Sequence, residues 1–377
     1  MSSPRPSSPR TKGWVVGHVV GAPIILAPSW LVAALVLTLV FAPSVRARSG
    51  ESGPAVYLVA LAFVVLLFGS VLVHELAHGL MARARGQQPH EFVLTLWGGH
   101  TSFGGAAPTP ATSALVAAVG PLANLILAGG FLAAAQVVDP WSIGGLLLFS
   151  GAISNGFVAV FNLIPGLPLD GGRVLEAAVW AVTKNRHTGT VAAGWSGRVV
   201  AVLLFAWALV WPLVQGTQPD LVNVVWTVFI AAFLWAGATA SVRSGRTQRA
   251  VHGLTVQAVA SPAVGVPYTD SVAHAGATAA AVGAHEVVLL SPDGRPAAYV
   301  DRAAAAAVPA DVAGSTPVTS VAVTLPFGAV VDGSLAGGPL IAALSEATRT
   351  SPVVAAMVDG RVVGLIRAAD VIAAIRT

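Results

Sequence analysis

At 377 residues, with 55 % hydrophobic and only 10 % charged side chains and a mean hydropathy of +0.78, the chain carries more apolar surface than one soluble core of this length can bury. Its net charge of +4 is unevenly placed, with 14 basic and 7 acidic residues over 1–250 but 6 and 9 over 251–377, so the two parts are expected to face different solvents. No cysteine is present, which excludes disulfides and thiolate metal sites and leaves nitrogen and oxygen ligands for any transition metal.

In chain order, residues 1–13 are rich in Ser, Pro and Arg and read as a retained cytoplasmic tail, because the apolar stretch that follows is interrupted by Gly21, Pro23 and Pro28 and lacks a cleavage site. Six membrane spans fit the apolar runs at 29–44, 56–83, 111–137, 142–182 with a break, 191–214 and 221–241, given roughly 20 residues per crossing. The second span contains His74-Glu75-Leu76-Ala77-His78. On a helix, His74 and His78 share one face and Glu75 lies next to the first of them, the arrangement of a zinc hydrolase with Glu75 as its base. Ionisable groups at membrane depth are costly and usually functional.

Between spans two and three, Glu91 to Trp97 alternates apolar and polar residues before turning on Gly98-Gly99, which predicts a short hairpin near the membrane surface. His100, just beyond, reads as a loop residue rather than a ligand. In span three, Asn124 could approach the site, but helix packing is the preferred reading. The fourth apolar stretch is broken by Asn162-Leu163-Ile164-Pro165-Gly166-Leu167-Pro168-Leu169-Asp170-Gly171-Gly172-Arg173, where two prolines remove amide donors and the glycines allow turns. Unwound backbone at this depth needs a protein-lined or wet cavity. Asp170 is either the N-cap of the helical run that follows or a third metal ligand; Asn162 on its own could serve interhelical hydrogen bonding.

Six crossings put both ends on one side. Arg5, Arg10, Lys12, Arg83, Arg85, Lys184, Arg186, Arg198, Arg243, Arg246 and Arg249 fall on that side against Arg46 and Arg48 opposite, so both termini are expected in the cytoplasm of a multipass cell-membrane protein. Span two then enters from outside near Val56, and His74 falls ~27 Å along it, close to the cytosolic edge of a ~30 Å core.

The paired motifs resemble those of the site-2 protease family of intramembrane zinc metalloproteases, in which H-E-x-x-H on one membrane helix is joined by the Asp of N-x-x-P-x-x-P-x-D-G on another. Both stand here without substitution, as His74 to His78 and as Asn162, Pro165, Pro168, Asp170 and Gly171. The resemblance implies one zinc held by His74, His78 and Asp170, catalysis by Glu75 as general base with Asn162 beside the scissile bond, and the region around residues 91–103 used as a sheet edge. It also implies a transmembrane substrate such as an anti-sigma factor or another single-span regulator, cut inside the lipid bilayer, and no direct contact with nucleic acid.

Beyond a linker at 242–253, residues 254–377 read as a duplicated strand-helix module whose Asp-Gly-Arg turns at Asp293 and Asp359 lie 66 residues apart. The end of the second copy resembles a CBS (cystathionine-β-synthase-type) domain, a module that usually pairs and often binds adenosine nucleotides, which implies nucleotide at Asp370 and a homodimer through the modules. Arg367 stands where nucleotide-binding members commonly place a hydroxyl residue, and Ala304 lies opposite Asp370 in the first copy; Asp370 as helix N-cap therefore stays open. The expected fold is an α-helical polytopic membrane domain at 14–241 followed by a small soluble α+β tandem CBS-like regulatory domain. The competing reading is an inactive or transport-type membrane protein gated by nucleotide sensing, which predicts polar residues spread along several spans.

Overall fold

The computed structural model of the protein describes residues 11–50, 53–96, 98–105, 108–218 and 220–376. Residues 1–10 of the expected tail, with Arg5 and Arg10, and Trp97 of the expected hairpin lie outside them. The chain divides into two units, Met1–Arg243 and Ser244–Thr377.

The first unit opens with β1 (Trp14–Val19) and β2 (Ala22–Leu26), continues with α1 (Ser29–Ser49) and α2 (Ala55–Ala84), then forms β3 (Gln87–Thr95) and β4 (Gly98–Gly105). Five helices follow, α3 (Pro110–Ala135), α4 (Ile143–Asn162), α5 (Asp170–Thr183), α6 (Arg186–Val214) and α7 (Leu221–His252). Among the described residues, α1, α2, α3, α4, α6 and α7 are long and apolar enough to cross a membrane, as the six apolar runs predict. α2 spans 30 residues, about 45 Å at ~1.5 Å per residue, longer than a ~30 Å hydrocarbon core, so it tilts or projects beyond it. The helix starts are chemically marked: Thr109 accepts from the Thr112 amide at 3.2 Å, Ser142 from Gly145 at 3.0 Å and Asn185 from Thr188 at 3.1 Å.

Two boundaries differ from the sequence reading. After the expected break in the fourth apolar stretch comes the separate helix α5, and α6, capped by Asn185, begins at Arg186, five residues before the run at 191. The segment expected as a linker, 242–253, is helical through His252 as the end of α7. Capping and helix propensity continue a helix past its apolar face, which hydropathy does not register.

The hairpin between spans two and three is present but belongs to a larger sheet of order β1-β2-β3-β4, with β2 parallel to β3 and the other pairs antiparallel. The unwound segment between α4 and α5 is tied to α6: the Leu167 amide donates to Ala193 O at 3.0 Å, and the Ser196 hydroxyl donates to Pro165 O. These bonds replace the water that backbone at this depth lacks. Gly197 makes the approach possible, since a Cβ there would strike the Leu167 carbonyl.

The second unit comprises α8 (Val256–Val259), β5 (Ala260–Pro267), α9 (Val272–Ala281), β6 (Glu286–Leu290), β7 (Pro296–Val300), α10 (Arg302–Ala306), β8 (Ala322–Thr324), β9 (Val330–Asp332), α11 (Gly337–Ala347), β10 (Val353–Val358), β11 (Arg361–Arg367) and α12 (Ala368–Arg376). Its seven-stranded sheet has the order β8-β7-β6-β5-β11-β10-β9. The expected duplication is visible in the pairing. In each copy the first strand runs parallel to the second, across a helix, and the second pairs antiparallel with the third. The start of β5 pairs with β11, and β8, ahead of the second copy, pairs with β7, so each copy's leading residues close the other copy's last strand. Alternation sorts the strand residues between two faces: Val354 and Ala356 join Leu340 and Ile366 in one core, while Val353 and Ala355 join Val288 and Leu365 in another.

Candidate metal centre

His74 and His78 project from α2 one turn apart, and Asp170 is the first residue of α5. Asp170 does not cap that helix; Leu169 occupies the cap position. Its carboxylate points instead at the imidazoles, with Oδ2 3.0 Å from His74 Nε2 and 3.3 Å from His78 Nε2. The α5 N-terminus favours the negative charge there. The two Nε2 atoms are 3.0 Å apart. Both histidines are 7 % exposed.

The other nitrogen of each ring settles what these atoms are. His78 Nδ1 lies 2.5 Å from Val116 O and His74 Nδ1 lies 2.5 Å from Asn124 Oδ1. A backbone carbonyl only accepts, so the neutral His78 ring carries its proton on Nδ1; an Asn oxygen imposes the same on His74. Two nitrogen lone pairs and a carboxylate oxygen then converge without a hydrogen between them. Such a cluster repels itself unless a cation sits among its members. Tetrahedral ligands at ~2.0 Å from zinc lie about 3.3 Å from one another, which the three distances match, and three protein ligands leave the open position of a catalytic site. The donor set therefore fits the ion. Gly120 of α3 gives the rings their room, because a Cβ there would meet both imidazoles.

Glu75 is 9 % exposed, and the Thr101 hydroxyl of β4 donates to its Oε2 at 2.8 Å. Thr101 carries no motif that sequence reading could detect; only the packing of β4 against α2 brings it to the carboxylate. Asn124, read from sequence as a helix-packing residue, is a direct partner of His74 instead, since its Gly120-Pro121-Leu122-Ala123-Asn124 segment faces the site. Asn162 ends α4 on the wall of the same cavity, about 410 Å³, which His74, Glu75, His78, Asp170, His100, Arg173, Glu176 and Arg186 also line. Its amide donates to Val158 O at 3.0 Å, leaving its oxygen toward other uses. His100 is exposed on β4 and stands outside the His74-His78-Asp170 cluster. Asp370 lies exposed in the first turn of α12, two residues past its start rather than at the cap, while Arg367 beside it donates to the buried Glu286 at 2.8 Å.

Long apolar helices around two histidines, an aspartate and a buried glutamate are the framework of a multipass membrane protein with a candidate metal centre. Residues 62–140 and 138–206, within the membrane unit, match the model of peptidase family M50. A Synechocystis protein named as a zinc metalloprotease, sll0528, is 32 % identical over 249 residues, 66 % of this chain and 64 % of that protein. Rip3 of Mycobacterium tuberculosis, likewise named as a zinc metalloprotease, is 35 % identical over 212 residues, 54 % of this chain and 52 % of that one. The chain thus spans between half and two thirds of the length of these curated relatives. The solved site-2 protease from Methanocaldococcus jannaschii aligns at 23 % identity with a TM-score of 0.43, covering 61 % of this chain and 95 % of that chain.

Proposed function

We propose that this chain is an intramembrane zinc endopeptidase that hydrolyses a peptide bond within or near the transmembrane segment of another membrane protein. The observation that carries the reading is the convergence of His74 Nε2, His78 Nε2 and Asp170 Oδ2 beside a buried glutamate in a bundle of membrane helices. Zinc bound by these three residues supplies Lewis acidity, polarising the scissile carbonyl and strengthening water as an acid. Glu75, held at Oε2 by Thr101, accepts a proton from the attacking water and returns it to the leaving amine. Asn162 holds the substrate backbone next to the bond that breaks. The cavity wall bearing Arg173, Glu176 and Arg186 admits water.

A helical peptide bond hides its carbonyl, so the substrate must unwind before attack. β4 is one of the two edges of its sheet and receives the extended segment by backbone pairing. The basic residues on the side of Arg83, Arg85 and Lys184 support a site near the cytosol and both termini in the cytoplasm. Single-span regulators such as anti-sigma factors are the substrate class, cut in regulated intramembrane proteolysis. Stripping the purified chain of metal with a strong chelator is expected to abolish cleavage of a single-span substrate in proteoliposomes, and one equivalent of zinc to restore it. Turnover that persists once elemental analysis finds no metal would reject the reading.

The second unit serves as a CBS-like pair that modulates cleavage. Its duplicated strand-helix-strand-strand-helix copies, each closing the other's sheet, support this reading. Adenosine nucleotide at Asp370 and a homodimer through the modules are its implied partners; the Arg367–Glu286 pair occupies the place of a hydroxyl residue and argues against an unmodified nucleotide site. Deleting residues 251–377 is expected to change cleavage rate or its response to ATP by about fivefold or more. Identical profiles for the full and shortened chains, with and without ATP, would remove the tail from regulation.

A further inference from the structure

A line of buried polar side chains leads away from His74 across three membrane helices. Asn124 of α3 and Asn155 of α4 are each 1 % exposed, and Ser70 of α2 is buried beside them. Polar groups placed among apolar helices cost several kcal/mol unless paired, and these are paired end to end. The direction of every bond follows from the far end. Gly151 O, 2.9 Å from Asn155 Nδ2, can only accept, and so can Leu66 O, 3.0 Å from Ser70 Oγ. Asn155 Nδ2 is therefore the amide nitrogen, and its second hydrogen goes to Ser70 Oγ at 2.9 Å. Asn155 Oδ1 then accepts from Asn124 Nδ2 at 2.8 Å, which turns Asn124 Oδ1 toward His74 Nδ1. Reversing any amide would set oxygen against a carbonyl oxygen.

We propose that Asn124, Asn155 and Ser70 form a positioning relay that fixes the tautomer and ring orientation of His74, so that its Nε2 lone pair is presented to the metal. The proposal rests on the reading of His74, His78 and Asp170 as metal ligands. His78 needs no relay, because Val116 O, a backbone acceptor, does the same work directly. The asymmetry has a physical reason: His78 Nδ1 meets a backbone carbonyl, Val116 O, whose direction the α3 backbone fixes, whereas His74 Nδ1 meets a side-chain oxygen, Asn124 Oδ1. That oxygen belongs to a rotatable amide, so it must itself be oriented from behind.

The test is zinc affinity, measured on the purified full chain in detergent by competition with a chromogenic chelator, with thermal unfolding recorded in parallel. Asn155→Leu, which removes a residue that does not touch His74, is expected to weaken zinc roughly 10-fold, and Asn124→Leu by up to about 100-fold, the range for lost outer partners of metal ligands. Asn124→Asp keeps an oxygen on His74 Nδ1 but turns its other oxygen against Asn155 Oδ1, so its affinity is expected to fall below the wild type's and stay above that of Asn124→Leu. Ser70→Ala is the milder variant where Asn155→Leu does not fold, with a small loss in the same direction. A relay that only packs helices would lower the unfolding temperature of Asn155→Leu and Asn124→Leu while leaving zinc affinity at the wild-type value; that outcome overturns the proposal. Wild-type chain that binds no zinc would instead overturn the metal reading beneath it.

Discussion

Glu75→Gln is expected to keep a full equivalent of zinc and to lower cleavage of a membrane-embedded substrate by at least 10²–10⁴-fold, the usual worth of a general base. The substitution is nearly isosteric, and the Thr101 hydroxyl that now donates to Oε2 at 2.8 Å still finds an amide oxygen. The geometry around the histidines, which Glu75 does not ligate, is left alone. What changes is basicity: an amide cannot take a proton from water and return it to an amine. Kinetics on proteoliposomes together with zinc content separate the two effects. Cleavage at the wild-type rate would reassign the base, and loss of zinc along with activity would make Glu75 part of the metal set.

Asp170→Ala is expected to lower zinc affinity by more than about 100-fold, beyond the 10–100-fold range seen when only an outer partner of a ligand is lost, and to abolish cleavage with it. The Asp170 carboxylate is the one anionic donor in the cluster, 3.0 and 3.3 Å from the two imidazole nitrogens. Without it two neutral nitrogens remain, one short of the three protein ligands of a catalytic zinc site. Metal content of the purified variant measures this directly, and unreduced occupancy would remove Asp170 from the ligands. Because Asp170 caps no helix, α5 is expected to stay folded, so a zinc loss reads as ligand loss rather than unfolding.

Much of the fold was legible because it is written in neighbouring residues. Apolar runs gave the six long helices, the prolines at 165 and 168 gave the break, and the two Asp-Gly turns gave the duplicated tail. The β1–β2 hairpin was not legible. Its two-residue turn is Val20-Gly21, and Val20 adopts a positive φ of 48° where Asn, Asp or Gly is the usual signal. A β-branched residue in that conformation is held by the pairing on either side, which local propensity cannot express.

The amino-acid sequence by itself determined the chemistry on offer: two imidazoles one helical turn apart, a glutamate between them and a carboxylate at a broken helix, all in apolar surroundings. Only the tertiary structure decided that Asp170 turns toward the histidines rather than capping α5, that Thr101 rests on Glu75, and that Asn124 holds His74. Helix and turn formation depend on residues a few positions apart. The partner of a buried polar group depends on which distant side chain the packing of α2, α3, α4 and β4 brings within about 3 Å, and hydrogen bonding then allows one answer.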